Sequence, residues 1–373
     1  MKRKISQGWL SLFKRFGWVA IISTSVMILS ITAFALIPGK YIYTDGDWNY
    51  KFVPDYDTVR YNVLFDPHSH TLQSGGVLTP KQNIEYHIAM GYNACVVTDK
   101  LTGGMGCWQS TSDAQRIARE QYDRQIKVLV GIEWGSNRGH FNIILPPNIT
   151  NSTVFRASIP NYGSNPSDDQ ILSFINATHA LGGIVIIDHL LYSLPIMPTH
   201  PSRQQLFDWG VDYIEVINAA DFDQDSNVFC RRTGMGMIAA TGMHVPEKDK
   251  IHGWTLVNVS TFTEQAVFDE LKGRRASMLY QNYSAPYNAT HELNPWYIGL
   301  RPFIQLGEVI YTYFPGGIQF DGLGFTIVLA NVILWFVVIE GIRFSVVFLK
   351  CKIGKNKQNL EREPCKAGPK PVA

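Results

Sequence analysis

The sequence has few charged residues, few cysteines and no internal repeat. Only 17% of its 373 residues are charged and 46% are hydrophobic, so the composition excludes an intrinsically disordered chain. Because neither a fixed-period repeat nor a low-complexity segment is visible, repeat architectures are excluded as well. The sequence also lacks a glycine-rich nucleotide-binding loop and a nucleic-acid-binding module. The length permits one large domain or two smaller ones.

The small net charge of +2 hides a strong asymmetry along the chain. Residues 1–16 carry five basic side chains and no acidic one, and residues 341–373 carry eight basic and two acidic side chains. The two ends therefore contribute +5 and +6, which leaves −9 for the stretch between them. An acidic central stretch argues against nucleic acid as a partner.

Each basic end adjoins a long apolar run. Residues 18–37 contain no charge and would span about 30 Å as a helix, the thickness of a bilayer core. A second run covers residues 322–349 and is interrupted by Glu340 and Arg343, which can pair on one helix face or lie at the headgroup level. Because basic flanks stay cytosolic, we predict two transmembrane helices with both termini in the cytosol. The alternatives are a cleaved signal peptide for the first run and a buried core helix for the second.

The charge and hydropathy patterns together predict seven segments, with the lipid bilayer as a partner. They are a cytosolic tail (1–17), a transmembrane helix (18–37), a linker (38–60), a barrel domain (61–281), a membrane-proximal connector (282–321), a second transmembrane helix (322–349) and a second cytosolic tail (350–373). The central part would then be extracellular or lumenal. Six N-glycosylation sequons agree with this placement, at Asn148, Asn151, Asn176, Asn258, Asn282 and Asn288.

Five cysteines divide between the central stretch and the second tail. An oxidising compartment permits a disulfide between Cys107 and Cys230, and it leaves Cys95 as a buried thiol. Cys351 and Cys365 lie in the tail, where Cys351 directly follows the second apolar run and is a candidate for palmitoylation.

Short apolar runs alternate with helix-like stretches through the central part. The predicted strands are 63–65, 94–98, 128–132, 141–145, 184–187, 213–217 and 237–240, and the predicted helices are 81–90, 113–125, 167–181, 203–209, 227–233 and 264–272. Seven nearly continuous apolar strands interleaved with helices predict a parallel sheet that is buried on both faces. About 250 residues in this pattern favour a closed α/β barrel over an open sheet.

Imidazoles and carboxylates lie at the ends of the predicted strands, nearly all of them at the carboxyl ends. They are Asp66, His68, His70, Asp99, Glu133, His140, Asp188, His189, Glu215 and His244, of which His140 immediately precedes the strand 141–145. Side chains alternate along an extended segment, so His68 and His70 can bind one ion from the same side. A carboxylate can bridge two ions, which makes Glu133 the natural bridging ligand. We interpret His87, His179, His200 and His291 as hydrogen-bonded structural residues, because they lie in helical or irregular stretches.

The ordered motifs resemble the PHP family, the polymerase and histidinol phosphatase domain, over about residues 61–280. They read Asp66-Pro-His68-Ser-His70-Thr71, Thr98-Asp99-Lys100, Gly131-Ile-Glu133, His140, Asp188-His189, Glu215 to Asn218, and His244-Val-Pro246. The resemblance is to a membrane-anchored, eukaryote-like member. It implies a distorted (β/α)7 TIM-like barrel of the PHP type, here flanked by two transmembrane helices. It also implies two divalent metal ions, of zinc, manganese or iron.

The resemblance assigns roles residue by residue. One ion would bind His68, His70 and Glu133, and the other would bind Glu133, His140 and His189. Asp66 and Asp99 would orient ligating imidazoles. Lys100 and Gly242 stand where the family pattern has a histidine and an aspartate, so a third ion is not expected. His244 would lie at that third position or contact the substrate, and Lys100 would contact its phosphate.

The motifs predict a membrane-anchored, extracytoplasmic metal-dependent phosphoesterase that acts on a small phosphorylated substrate. A hydroxide held between two ions would attack phosphorus, while Lys100, His244 and His252 stabilise the phosphate or protonate the leaving group. The replaced ligands leave a second interpretation, a noncatalytic metal-binding or ligand-binding surface module that keeps the barrel. A third is a metal-dependent hydrolase of a nonphosphate bond.

Overall fold

The structure is a computed structural model that describes residues 2–37, 39–48, 51–101, 106–149, 152–285, 291–314 and 317–360. The chain divides into two compact units. The sheet unit comprises residues 37–301 and 313–319, and the helical unit comprises residues 1–36, 302–312 and 320–373. Asn151, Asn288 and Cys365 lie outside the described residues.

The strands and helices are numbered here in chain order. The strands are β1 (Tyr41–Ile42), β2 (Val63–Asp66), β3 (Ala94–Val97), β4 (Lys127–Ser136), β5 (Gly139–Leu145), β6 (Ile184–Ile187), β7 (Tyr213–Asn218), β8 (Asp221–Phe222), β9 (Gly236–Ala240), β10 (Gly253–Val257), β11 (Ser277–Tyr280), β12 (Glu292–Leu293), β13 (Tyr311–Phe314) and β14 (Gly317–Phe320). The helices are α1 (Lys2–Leu36), α2 (Pro80–Ala89), α3 (Gly106–Ile117), α4 (Ser152–Ser158), α5 (Asp168–Ala180), α6 (Leu190–Ile196), α7 (Arg203–Asp208), α8 (Gln224–Thr233), α9 (Glu264–Lys272), α10 (Pro295–Ile310) and α11 (Gly322–Leu360). A π-helical turn, Ala118–Tyr122, extends α3.

All seven predicted strands are present, but the sheet that they form is mixed rather than parallel. Its order is β11-β10-β2-β3-β4-β5-β6-β7-β8, and β9 pairs with the other edge of β7. Among the strand pairs that the described residues form in this sheet, the β2–β3, β3–β4, β6–β7 and β7–β9 pairs are parallel and the others are antiparallel. The expectation of an all-parallel barrel is therefore wrong. The tight turn after β4 returns the chain as β5 beside it, and a direct return makes an antiparallel pair.

The sheet curls into a half-barrel whose two sides meet at β9 and β10. Across this seam the Thr255 hydroxyl donates to the Ala239 carbonyl at 2.7 Å and accepts from the Ala239 amide at 2.9 Å. Gly253 lets β10 approach both β7 and β9, because a Cβ built on it would lie 2.4 Å from the Ile217 side chain and 3.2 Å from the Ala239 Cβ. A side chain therefore closes the seam, and no strand ladder joins β9 to β10 within the described residues.

Several elements escaped the sequence prediction, namely the strands β1, β8 and β10 to β14 and the helices α4, α6 and α10. β10 and β11 form an antiparallel extension of the sheet beside β2. α10 occupies residues 295–310, inside the segment that we predicted as a connector. The other predicted helices are present, with ends shifted by a few residues, except that the predicted helix 113–125 begins earlier as α3.

Local sequence signals fix where several helices of the sheet unit begin. Thr79, Ser167 and Ser202 each accept a hydrogen bond from the backbone amide three residues later. A glutamine at that third position bonds back to the cap residue in each case, forming a capping box. Such caps satisfy amides that the first helical turn leaves unpaired, and they are worth about 1 kcal/mol each.

Apolar side chains cover both faces of the curled sheet. On one side Trp134 and Phe141, from neighbouring strands, pack against Phe174 of α5, and all three are fully buried. Val63, Val96 and the residues around them form a second buried cluster. Burial of this apolar surface, at about 25 cal/mol per Å², supplies the main stabilisation of the sheet. The rigid sheet then fixes the positions of the residues at its strand ends.

The helical unit contains two helices that are long and apolar enough to cross a membrane, by length and composition. They are residues Leu10–Leu36 of α1 and Gly322–Lys350 of α11. Both oxygens of Glu340 accept hydrogen bonds from Arg15, at 2.6 and 2.8 Å. Glu340 therefore pairs with the other helix rather than with Arg343, its neighbour one turn along α11.

The cysteines and sequons of the sheet unit can be compared with their predicted roles. Cys95 is a buried thiol, as predicted, but the predicted disulfide is wrong because Cys107 and Cys230 are both free thiols. Cys230 lies on α8, where its sulfur contacts the Gly236 carbonyl at 3.8 Å. The four described sequon asparagines are all exposed; they are Asn148, Asn176, Asn258 and Asn282.

Candidate metal centre

His68 and His70 lie on the segment that follows β2, and two backbone contacts hold this segment against the end of β9. The His70 amide donates to the Met243 carbonyl at 2.9 Å, and the Gly242 amide donates to the His68 carbonyl at 2.9 Å. The Nε2 atoms of His68 and His70 lie 3.0 Å apart. Both rings are almost completely buried. Two imidazole nitrogens thus face one point, as in a shared ligand position.

Glu133 stands between two groups of histidines. It is fully buried on β4, and its Oε2 lies 3.2 Å from Nε2 of His70 and 3.6 Å from Nε2 of His68. Its other oxygen, Oε1, lies 2.6 Å from Nδ1 of His140. The two oxygens of one carboxylate therefore reach separate sets of imidazoles, which is the geometry required of a bridging ligand.

The second set consists of His140 and His189 with Glu133. The β4–β5 pairing places Gly135 opposite His140, and the absent side chain at Gly135 leaves room for the ring. His189 caps the amino end of α6 in a left-handed conformation, with φ of 30° and ψ of 53°. The ring centroids of His140 and His189 lie 5.2 Å apart. The sheet thereby brings together both predicted ligand sets, and ligand atoms within each set lie within 4.8 Å of one another.

Several buried ligand atoms have no hydrogen-bond partner among the described residues. They are both oxygens of Glu133, Nδ1 of His140 and Nε2 of His189. His140 and Glu133 are close, but their orientation does not form a hydrogen bond. Leaving buried polar atoms unpaired costs about 1–3 kcal/mol each. Divalent ions would satisfy all four atoms, so the residues present fit a pair of bound ions.

The electrostatics favour the protonation states that bind metal. Burial lowers the pKa of His70 to about 4 and the pKa of His189 well below its ordinary value, so both rings are neutral near pH 7. Burial alone would raise the pKa of Glu133, but Lys100 and His140 hold it well below the ordinary range. Neutral imidazoles and an ionised carboxylate are the forms that coordinate a metal ion.

His68 has a different electrostatic environment. Burial alone would lower the pKa of His68, but the carboxylates of Glu215 and Asp188 raise it well above its ordinary value. Glu215 Oε1 lies 3.1 Å from Nδ1 of His68, and Asp188 Oδ1 lies 4.0 Å from the same nitrogen. These three residues form a third group that could hold a cation. We did not predict this group, although both carboxylates stand at strand ends in the sequence.

Lys100 lies beside the predicted bridging ligand. Its backbone forms an isolated parallel bridge with Glu133, and the residue is only 5% exposed. Burial lowers the pKa of Lys100, while Glu133, Asp188 and Asp99 oppose that shift. The ammonium group is therefore held near three carboxylates at the edge of the ligand sets.

The two other predicted catalytic residues lie in different places, because His244 contacts a ligand set and His252 does not. The His244 ring stacks on His70, with centroids 4.1 Å apart, and its buried Nδ1 has no partner among the described residues. His252 is not brought to the ligand sets. Its Nδ1 bonds to the Gln281 carbonyl at 2.8 Å, and its ring stacks on Tyr280. His252 precedes β10, a strand that we did not predict, so its position could not be inferred from the sequence.

Asp99 and Asp66 both hold the segment that carries His68 and His70, through different partners. Asp99 accepts hydrogen bonds from the Thr71 amide at 2.8 Å and from the Ser74 hydroxyl at 2.6 Å, and Ser74 in turn lies 3.2 Å from Nδ1 of His70. Asp66 accepts from Thr241 and from the His68 amide. Asp66 also binds His87, so it orients a structural histidine rather than a ligand ring.

The four histidines that we interpreted as structural all have contacts away from the ligand sets. His87 bonds to Asp66, His179 to Asp212 and His200 to the Pro201 carbonyl, and His291 lies 3.6 Å from Asp47. None of them belongs to a potential metal group among the described residues.

A cavity of about 220 Å³ opens beside the ligand sets. Its wall is formed by His68, His189, Leu191, Tyr192, Glu215, Val216, Asn218, Asp221, Asp223, Gly242, His244 and Asp249. Asn218 Nδ2 is buried there without a partner among the described residues. A small molecule in this cavity would meet one ligand from each predicted set, His68 and His189, together with His244.

The fold was compared with known proteins. No protein-family model and no curated protein matches the chain. Among solved structures, a two-domain protein from Bacteroides vulgatus that contains a predicted PHP-like metal-dependent phosphoesterase is 20% identical, with a TM-score of 0.49. The match covers 70% of this chain and 74% of that one.

Two further solved structures are similar to this chain. A candidate metal-dependent phosphoesterase from Bifidobacterium adolescentis is 15% identical over 56% of this chain and 96% of its own, with a TM-score of 0.40. An amidohydrolase from Chromobacterium violaceum, with bound sulfate and no metal, is 18% identical over 58% and 97%, with a TM-score of 0.36. Likenesses at these identities and TM-scores assign no function to this chain.

Proposed function

We propose that the sheet unit is a metal-dependent phosphoesterase that binds two divalent ions through one bridging carboxylate. The observation that carries this proposal is the position of Glu133. Its two oxygens reach two separate sets of buried imidazoles, and neither oxygen has a hydrogen-bond partner among the described residues. The motif resemblance to the PHP family supports phosphate esters as the substrate.

His68 and His70 would hold one ion, His140 and His189 the other, and Glu133 both. When bound, such a pair polarises phosphoryl oxygens and lowers the pKa of a water molecule to near neutrality. A mixed imidazole and carboxylate donor set suits zinc, manganese or iron.

The chain supplies the remaining groups for the reaction. Asp99 orients Ser74, and Ser74 fixes the His70 ring from its Nδ1 side. The His244 ring, stacked on His70, and the Lys100 ammonium are placed to bind phosphate oxygens or to hand a proton to the leaving alcohol. His252 has no described contact with these groups, so the proposed mechanism omits it.

Metal content of the full chain in lipid nanodiscs tests the proposal directly. We expect two ions per chain by elemental analysis, and metal-dependent hydrolysis within a panel of phosphomonoesters, phosphodiesters and amides. Glu133→Gln should lose both ions, and His140→Ala should lose mainly one. His179→Ala, which removes a histidine bonded to Asp212, is the matched control and should keep both. Less than one ion in the wild-type chain would overturn the proposal.

We also propose that α1 and α11 anchor the protein in a membrane, with both termini in the cytosol. Besides the basic tails, the Arg15–Glu340 ion pair supports this orientation. It joins the early part of one helix to the late part of the other, as expected if both termini lie on the same side. Protease treatment of sealed vesicles should spare the sheet unit, and glycosidase treatment should lower the apparent mass. Failure of both results would reverse the orientation.

A second candidate function is a ligand-binding module without turnover. Lys100 favours it, because a buried ammonium group near the bridging carboxylate would compete with bound cations. This candidate predicts that phosphorylated compounds raise the thermal unfolding midpoint while the substrate panel shows no hydrolysis. Hydrolysis of amides alone would instead identify the third interpretation, a hydrolase of a nonphosphate bond.

A further inference from the structure

Glu215 lies on β7, behind the two predicted ligand sets, and is 2% exposed. Its two carboxylate oxygens contact one residue from each set. Oε1 lies 3.1 Å from Nδ1 of His68, and Oε2 accepts a hydrogen bond from the backbone amide of His189 at 2.6 Å. One buried side chain thus touches both parts of the site without reaching the point on which the ligand atoms converge.

The contact with His68 selects the form of that ring. A neutral imidazole carries one proton and one lone pair, and the nitrogen that binds metal must present the lone pair. Because a carboxylate only accepts hydrogen bonds, Glu215 keeps the proton on Nδ1 of His68. In the neutral ring that a bound ion requires, Nε2 then presents its lone pair towards His70 and Glu133.

The contact with His189 holds a strained backbone. His189 has a positive φ of 30°, a conformation that is strained for a non-glycine residue. Its amide lies at the start of α6, where backbone donors lack helical partners. The bond to Glu215 satisfies this donor. The Ser193 hydroxyl lies 2.9 Å from Nδ1 of His189 and orients the ring from the other side.

We propose that Glu215 is a positioning residue that couples the two metal positions, by fixing the His68 ring for one ion and the His189 backbone for the other. The inference rests on the proposed metal-binding function. A cation held by His68, Asp188 and Glu215 is the competing arrangement. Both cations cannot share His68, because a neutral ring has a single lone pair.

Glu215→Gln is the sharpest test, since it preserves shape and removes one acceptor. If the glutamine oxygen accepts from the His189 amide, its NH₂ group faces Nδ1 of His68 and moves the ring proton to Nε2. If the glutamine oxygen instead accepts from His68, two donors face each other at His189. Either orientation disrupts one ligand set, and because Glu215 contacts a residue of each set, we expect metal binding by the other set to weaken as well.

The experiment is a titration of the full, metal-stripped chain in nanodiscs with Co²⁺, followed by visible absorption and by elemental analysis. We expect Glu215→Gln to weaken binding of both ions by about 10–100-fold and to change the absorption of the remaining bound ion. Ser193→Ala should weaken only one ion. Asp212→Asn, which alters another buried carboxylate with histidine and backbone partners, should lower the thermal midpoint and leave both affinities unchanged.

The outcomes separate the two proposals. A wild-type chain that binds no ion overturns both the function and the coupling. A wild-type chain that binds two ions, with both affinities unchanged in Glu215→Gln, overturns the coupling alone. Loss of only the ion that His68 holds, with the affinity for the other ion unchanged, would assign the carboxylate to the competing cation arrangement and overturn the coupling. If Glu215→Gln does not fold, Glu215→Asp replaces it, because the shorter acid reaches only one of its two partners and the same losses are expected.

Discussion

Replacing Gly242 with alanine is expected to destabilise the sheet unit for two separable reasons. Gly242 has a φ of +56°, in the left-handed region that costs an L-residue about 1–2 kcal/mol. A Cβ at this position would also lie 2.7 Å from Nδ2 of Asn218, which is too close for van der Waals contact. Asn218 must then shift within a packed wall, and overpacking of this kind costs about 1–3 kcal/mol.

The backbone cost and the steric cost of Gly242→Ala together give about 3 kcal/mol. A matched glycine elsewhere in the sheet unit measures the backbone cost alone. Gly234 has a φ of +76°, and a Cβ built there meets nothing within 4 Å. Gly234→Ala should therefore have only the conformational cost. Because 1 kcal/mol corresponds to about 2–4 °C for a domain of this size, we expect Gly242→Ala to melt about 6–12 °C lower and Gly234→Ala about 2–8 °C lower.

Truncation of Asn218 in the Gly242→Ala variant should restore the stability that is lost to the steric conflict. Its Nδ2 is buried without a partner among the described residues, so Asn218→Ala alone should change the midpoint little. The double variant Asn218→Ala/Gly242→Ala should then melt close to the Gly234→Ala control. Thermal unfolding of the full chain in nanodiscs, followed by tryptophan fluorescence, measures all four variants. Equal midpoints for Gly242→Ala with and without Asn218 would refute the proposed steric conflict.

The PHP family pattern has an aspartate at the position of Gly242. Gly242→Asp alone should not improve metal binding, because Asn218 occupies the space that the new carboxylate needs. Gly242→Asp combined with Asn218→Ala should bind metal more tightly than Asn218→Ala alone. Tighter binding by the single variant would show that Asn218 moves freely.

Variants at three further sites test other parts of the structure. Thr255→Val should lose about 1–3 kcal/mol, because both backbone groups of Ala239 lose their partner across the seam, while Thr255→Ser should retain most stability in thermal unfolding. Burial alone would raise the pKa of Asp212, but hydrogen bonds from a histidine and a backbone amide lower it below its ordinary 3.8. The stabilisation that the ionised side chain provides is therefore present above pH 4 and is lost in stronger acid. Asp212→Asn should melt lower at pH 7 and show a flatter dependence of its midpoint on acid pH. In nanodiscs, Arg15→Ala and Glu340→Ala should each cost more than the double variant, because each single variant leaves one unpaired charge in the helical unit.

The strands could be predicted from sequence because each is a short run of β-branched or other apolar residues, as in the Ile184–Ile187 strand. Their directions could not all be predicted. β4 and β5 lack an intervening helix, and the glycine at 139 in the turn between them was a hairpin signal that the prediction of a parallel barrel overlooked. β5 and β6 are also antiparallel, although α4 and α5 lie between them, and no local pattern specifies that.

Part of the candidate site could be predicted from the sequence and part of it could not. Residue type and strand-end position were enough to select His68, His70, Glu133, His140 and His189 as candidates, which the structure brings together. The contacts of Glu215 were not predictable, because they depend on the direction of its side chain and on the left-handed turn at His189. The position of His252 was not predictable either, because its contact with the Gln281 carbonyl depends on an unpredicted strand pair.

The charge of the site gives the bound ions a physical role beyond coordination. Glu133, Asp188, Glu215 and Asp99 offer four carboxylates around a single ammonium, that of Lys100. Burial first, and then repulsion by Glu215 and Glu133, raises the pKa of Asp188 well above its ordinary value, although His68 opposes the shift. The raised pKa values of Asp188 and His68 both reduce the negative charge of this group, which leaves it little net charge with which to attract a phosphate. Two divalent ions would add positive charge there, so binding of a phosphorylated substrate should require metal even before any bond is broken.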